Sequence, residues 1–293
     1  MKFLFLIISL LFCSSVTARD KYAVTVFISD YPAESGWNHL NSVNDKSLII
    51  PELLKIGYRE ENIICLENEY AIFSNIINAF QILTSKVAKG DEVYIHFSCH
   101  GQQITDINLD EASVNPRDKY DEAIVPYDAF IAYNWKGYKG DKHLTDDLIN
   151  ECLNRISLKV GKEGSVIFVA DACHSGDIVR DKSNINSFSY RGTFDRFELP
   201  LPKVKENIGT VEVNWISISA CKEFQTNYEC EVNGIKYGRL SYAISNSIAR
   251  GITISELVDA IRTEFSQLKL PYGKAQTLDV TYPDRLKKQV IFQ

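Results

Sequence analysis

Short apolar runs of strand length alternate with amphipathic stretches of helical spacing along most of this chain, and that alternation restricts its fold more than any other feature. Tyr22–Ile28 is rich in Val and Ile and reads as a strand, as do Asn62–Leu66, Val93–Phe97 and Trp215–Ser219. Val166–Ala170 is apolar throughout, the pattern of a strand buried on both faces. Between these, Val43–Ile56 reads as a helix stopped by Gly57. Tyr70–Ala88 sets Ile72, Ile76, Phe80, Leu83 and Val87 on one helical stripe ahead of Gly90. Thr145 caps a helix through Ile156, with Asp146 and Asp147 in its first turn. Leu240–Ala249 and Ile254–Leu268 read as helices and Val290–Phe292 as a last short strand. Such alternation implies an α/β fold: a mostly parallel sheet with right-handed crossovers and helices on both faces. Ligand sites in these sheets lie beyond the carboxyl ends of the strands. Two long stretches without periodicity, Gln102–Lys142 and Asp177–Gly209, read as functional or mobile loops.

With 293 residues, one large domain or two small ones can each bury a core. The net charge of -6 and the lack of a basic block argue against nucleic acid as a partner. At the N-terminus, Lys2 precedes the apolar run Phe3–Phe12, and small and polar residues follow through Ala18. This order is that of a secretory signal, and the run is too short to span a bilayer. The expectation is a signal peptide over residues 1–18 and an exported, secreted or periplasmic chain from Arg19 onward. Lipid anchoring at Cys13 is the alternative, disfavoured by the bulky Phe12 before it. With Cys173 kept as a thiol, Cys65, Cys99, Cys152, Cys221 and Cys230 are an odd set that cannot all pair, although Cys221 and Cys230 could close a small loop.

Two strand ends carry reactive groups. The strand through Phe97 runs into Ser98-Cys99-His100-Gly101, and the strand through Ala170 runs into Asp171-Ala172-Cys173-His174-Ser175-Gly176. A cysteine nucleophile needs a neighbouring base to supply thiolate at neutral pH, and backbone N–H groups facing the developing oxyanion. His100, Gly101 and Cys173 together supply those parts. Strand alternation puts His96, Ser98 and His100 on one face and Cys99 on the other, which makes a metal site from them awkward. Trp37, Trp135 and Trp215 read as packing residues, with Trp135 in the long loop the candidate for recognition.

His100-Gly101 after one strand and Asp171-Ala-Cys173-His-Ser-Gly176 after the next resemble the motifs of caspase-like cysteine peptidases, specifically metacaspases. Ser42-Val-Asn-Asp45, Tyr120-Asp-Glu-Ala-Ile-Val-Pro-Tyr-Asp128, Thr145-Asp-Asp-Leu148, Ile218 to Thr226 and Gly238 to Ala243 resemble further family segments in the same order. Asp171 and the wider His–Cys separation distinguish the pattern from that of true caspases. The resemblance implies a three-layer α/β/α caspase-hemoglobinase fold. It implies a peptidase domain over 19–293, with a larger-subunit-like part 19–180, a linker 181–209 and a smaller-subunit-like part 210–293. The implied activity is that of a monomeric Cys173–His100 endopeptidase, cleaving protein or peptide substrates after Arg or Lys. Asp45, Ser98 and Asp171 are the implied walls of the P1 pocket, since carboxylates pair with a cationic side chain. Amides of Gly101 and Cys173 are the implied oxyanion donors.

The resemblance extends to Asp121, Asp146 and Asp147 as Ca2+-binding acids of an activator site, with the fourth family position occupied by Arg180 beside Asp181. No cofactor is required for the chemistry itself. Within 177–209, Arg180, Lys182, Arg191, Arg196, Lys203 and Lys205 are potential self-processing sites. Two alternatives stand beside this reading: an inactive caspase-fold binding module, and a related peptidase with another P1 preference.

Overall fold

The computed structural model describes residues 19–109, 119–173, 189–200, 213–222 and 225–293. The proposed signal segment 1–18 therefore lies outside the described residues. So do Ser175, Gly176, Arg180, Asp181, Lys182, Lys203 and Lys205.

A six-stranded sheet forms the centre. It takes β1 (Lys21–Phe27), β2 (Ile63–Glu67), β3 (Glu92–Ser98), β7 (Ser165–Asp171), β8 (Ile216–Ser219) and β12 (Asp279–Thr281), in the order β12-β8-β7-β3-β1-β2. All neighbours are parallel except β12, which runs antiparallel to β8. Alternation decides where each side chain goes. Ala23 and Phe27 of β1 join a core with α1 (Ser42–Lys55), α4 (Arg239–Ser245) and α5 (Ile254–Gln267). Val24 and Val26 join the opposite core with α2 (Phe73–Lys86) and α3 (Asp146–Val160). The helices lie on both faces and complete three layers.

The helices follow their own sequence logic. α2 buries Ile76, Ala79, Phe80 and Leu83 at helical spacing. Thr145 caps α3 by accepting from the Leu148 N–H, and α5 opens with a capping box between Thr253 and Glu256. No helix among the described residues is long and apolar enough to cross a membrane.

Gln102–Lys142 is not a plain loop: β4 (Gly101–Thr105), β5 (Tyr120–Ile124) and β6 (Leu144–Thr145) form an antiparallel sheet. β4 escapes a hydropathy reading because its buried residues include Gln102 and Gln103. The Gln102 amide is satisfied by the Ile131 and Asp195 carbonyls and by His143. The last short strand is present as β13 (Val290–Ile291), and it pairs with β11 (Ile252–Thr253). A hairpin of β9 (Glu229–Val232) and β10 (Ile235–Gly238) adds to these elements, and the hydropathy pattern did not point to it. Its turn is Asn233–Gly234, both at positive φ, a dipeptide that signals such hairpins.

Part of the second long stretch is also more ordered than a mobile connection. Phe197 is fully buried against Tyr133, Tyr138 and His143. Its N–H donates to the Gln103 carbonyl, and its carbonyl accepts from the Thr105 N–H. The helix expected over Leu240–Ala249 stops at Ser245.

Candidate active site

The parallel register between β3 and β7 sets Ser98 directly beside Asp171 at the carboxyl edge of the sheet. The chain leaves these strands toward His100 and Cys173. His100 is buried, with Trp37 stacked on its ring at 4.9 Å and Tyr31 at 5.2 Å. Its Nε2 lies 2.8 Å from the Asn38 carbonyl oxygen. A carbonyl only accepts, so Nε2 carries the proton. Nδ1 is buried without a hydrogen-bond partner, and its lone pair is available as a base. Burial, and to a lesser degree the Arg191 cation, hold the imidazole down to about 4; the Asn38 carbonyl pulls the other way. The ring is therefore neutral at physiological pH.

Cys173 is buried, and its Sγ lies 3.4 Å from the Gln225 carbonyl oxygen. Its N–H donates to the carbonyl oxygen of Arg191 at 2.7 Å. The segment 189–192 lies in the cleft as an added strand. Arg191 N–H donates to the Asn227 carbonyl, Glu229 N–H donates to the Ser189 carbonyl, and Tyr190 bridges Tyr228 in antiparallel sense. Gly192 bridges Gly101. A Cβ on Gly192 would sit 2.6 Å from the Cys173 carbonyl oxygen, 2.9 Å from its Cβ and 3.1 Å from the Gly101 carbonyl oxygen. The Arg191–Gly192 peptide is thus held between the two loaded strand ends, and only glycine fits there. This segment fills the cleft. A separate cavity of about 970 Å³, lined by Asp147, Phe168, Trp215 and Lys222, contains neither His100 nor Cys173.

The Arg191 side chain is wholly buried. Its Nη2 lies 2.9 Å from Asp45 Oδ2 and 3.3 Å from Glu229 Oε1. Its Nη1 donates to Ser98 Oγ at 2.6 Å and lies 3.6 Å from Asp171 Oδ2. Burial disfavours the charge, but Asp45, Asp171 and Glu229 more than compensate and keep the guanidinium firmly protonated.

The surrounding carboxylates are tied down. Asp45, in the first turn of α1, accepts from Ser98 Oγ at 2.7 Å and from Gly238 N–H at 2.9 Å. Asp171 accepts from Asn227 Nδ2 at 2.7 Å and from the Ser241 N–H and hydroxyl, both at 2.8 Å. His96 backs Ser241 at 3.0 Å. Burial would raise the Asp171 carboxyl, but Arg191, Asn227 and Ser241 hold it below the usual range. Asp45 is pushed up to about 6, because burial and the nearby Asp171 charge outweigh the pull of Arg191. Gly238 makes room for this group: a Cβ there would meet Asp171 Oδ2 at 2.1 Å and Arg191 Nη1 at 2.5 Å.

The structure thus brings Asp45, Ser98 and Asp171 around one cation, beside Cys173. The pattern of the sequence did not point to Glu229, Asn227, Asn38 or Tyr31, nor to Arg191 as occupant rather than one basic residue among six. Trp37, read as packing, is the ring stacked on His100, while Trp135 is half exposed in a short turn at 135–137. Asp121 lies on β5 and Asp146 and Asp147 open α3, brought near one another by the pairing of Ala123 with Thr145. Asp147 accepts from Asn108. Among the described residues, no group of three His, Cys, Asp or Glu side chains is arranged to hold a metal ion. No disulfide joins the described cysteines, Cys221 and Cys230 included.

Comparison with known proteins agrees with this picture. Residues 38–181 match the family described as metacaspase, peptidase C14 domain. Metacaspase-1 of Candida albicans is 23% identical over 85% of this chain and 63% of its own length. Metacaspase-1 of Schizosaccharomyces pombe is 24% identical over 85% of this chain and 66% of its own length. The chain thus spans just under two thirds of these curated relatives. Metacaspase-1B of Aspergillus fumigatus is 32% identical over 47% of this chain and 30% of its own length. A solved protein of Geobacter sulfurreducens shares the fold, with a TM-score of 0.61 and 18% identity over 93% of this chain and 98% of that one.

Proposed function

Since the chain is a metacaspase-like member of the caspase family of cysteine peptidases, we propose that it hydrolyses peptide bonds after Arg or Lys through Cys173 and His100. The observation that carries this reading is Arg191, whose guanidinium lies among Asp45, Asp171 and Glu229 while its carbonyl accepts from the Cys173 N–H. A basic side chain of the protein itself occupies the pocket as a P1 residue would.

In this reading His100 Nδ1 takes the Cys173 proton. The thiolate attacks the carbonyl carbon, and charge gathers on the oxygen held by the Cys173 N–H. The imidazolium then protonates the leaving amine, and water, deprotonated by the same imidazole, releases the acid product. Gly101 is assigned here as a second oxyanion donor. The acids of the pocket argue against a preference for acidic P1 residues, because a buried carboxylate pays a like-charge penalty. The intact thiol and imidazole argue against a pure binding module.

The same geometry makes Arg191–Gly192 the first bond that Cys173 meets. A free substrate must displace this segment, or the chain must be cut there. Export is proposed on residues 1–18 alone. A monomer is proposed because one chain carries every group named. Ca2+ is proposed as an activator at Asp121, Asp146 and Asp147, with oxygens beyond those three, and it enters no chemical step.

A peptide library profiled with wild type and with Cys173→Ala tests the reading. Wild type should cut after Arg or Lys, and Cys173→Ala should cut nothing. N-terminal sequencing of any fragment of the wild-type chain should begin at Gly192. Cleavage mainly after acidic or apolar residues would refute the assignment.

A further inference from the structure

We infer that Glu229 is a third acidic wall of the P1 pocket and makes it select Arg over Lys. This rests on the proposed peptidase reading and gives Glu229 a selectivity that reading does not require.

Arg191 uses its two terminal nitrogens in opposite directions. Nη1 faces Ser98 and Asp171, and Nη2 faces Asp45 and Glu229. Nε is buried with no hydrogen-bond partner, so recognition is confined to the far end of the guanidinium. A fork of two donors spans these two walls at once. A lysine ammonium is a single point charge on a stem that ends closer to its backbone. It can sit against one wall but leaves carboxylate on the other without a cation, and an uncompensated buried charge is strongly unfavourable.

Glu229 is set in place for this task. It opens β9, opposite Gly238 across the hairpin, and its own N–H holds the strand of the occupant at Ser189. Asn41, just before α1, fixes both oxygens of its carboxylate: the backbone N–H donates to Oε1 at 2.8 Å and the side-chain amide to Oε2 at 2.6 Å. The carboxylate cannot swing away when the pocket empties without losing both bonds. With Asp45 and Asp171 alone the pocket would carry one negative charge in excess of a bound cation; Glu229 makes that two. Only a ligand that touches both sides distributes its charge over all three acids.

The test is kcat/KM for two peptides that differ only at P1, Arg or Lys, measured on the full chain as wild type, Glu229→Gln and Glu229→Asp, with thermal melting of each. Wild type should favour Arg by at least about tenfold. Glu229→Gln should lower the Arg value by about 10–100-fold, chiefly through KM, and the Lys value by less than about threefold, so that the ratio collapses. Glu229→Asp keeps the charge and should fall between the two. Equal losses for both peptides in a variant that melts like wild type would overturn the inference, as would an unchanged ratio in Glu229→Asp. A wild type that cuts neither peptide but cuts after other residues would overturn the peptidase specificity itself along with it.

Discussion

Two sets of acidic side chains stand out in this molecule, and they are built differently. Asp45, Asp171 and Glu229 come from α1, the end of β7 and the start of β9, three places far apart in sequence, and converge on one guanidinium. Asp121, Asp146 and Asp147 come from one small sheet and the helix that follows it, and among the described residues they form no group arranged to hold a metal ion. The first set is wholly buried, and each member is held by donors from neighbouring elements. In the second set, Asp146 and Asp147 occupy the first turn of α3, where carboxylates also favour the helix dipole. Buried acids that lack a local structural role require a cation. Acids at a helix start already have a role without one.

Substituting one member of each set gives the largest contrast. Asp171→Asn removes one partner of a buried charge, worth about 3–5 kcal/mol. Steady-state assays with an Arg-P1 peptide should therefore lose about 10²–10⁴-fold in kcat/KM. Asp146→Asn should change the same value by less than about threefold in the absence of Ca2+. Similar losses from both would remove the distinction between the sets.

A pH profile sharpens it further. Asp45 is held up to about 6, so as pH rises through that value the carboxylate forms and Arg binding improves. His100 is held down to about 4 and is already basic over that range. With Arg191 displaced its pull on Asp45 is lost, so the kcat/KM for an Arg-P1 peptide should climb by up to about tenfold per pH unit up to an ionisation at or above about 6 and level off beyond it. Asp45→Asn should lower the plateau and abolish the limb near 6. A limb that persists in Asp45→Asn would assign it to another group.

The smallest effect belongs to the second set. Millimolar Ca2+ should raise the activity of the chelated enzyme by several-fold, about 1 kcal/mol in population of the competent state, and Asp147→Asn should remove that response. Equal rates with chelator and with Ca2+ would leave the second set as helix-start acids alone.

Some of this was readable before any fold was known. The strands at Val93–Phe97 and Val166–Ala170 are apolar because both faces of a central parallel strand are covered, and that left the reactive residues visible immediately after them. Helical stripes such as Ile76, Phe80 and Leu83 are visible for the same reason: local periodicity encodes burial. β4 was not readable, since its Gln102 is buried by virtue of partners at Ile131, His143 and Asp195. The β9–β10 hairpin had its Asn233–Gly234 signal, but its strands are short and carry little alternation.

What the sequence determined by itself is the order of strands and helices and the two chemically loaded strand ends, because both are written in contiguous residues. The tertiary structure alone decided which nitrogen of His100 keeps its proton, through the Asn38 carbonyl, and which of six basic residues enters the pocket. It also decided that Glu229 joins Asp45 and Asp171 there. These outcomes depend on groups up to 193 residues apart, as in the bond from Gly238 to Asp45. No local pattern records a distance of that kind; it arises only when parallel register sets Ser98 beside Asp171 and the hairpin closes over them.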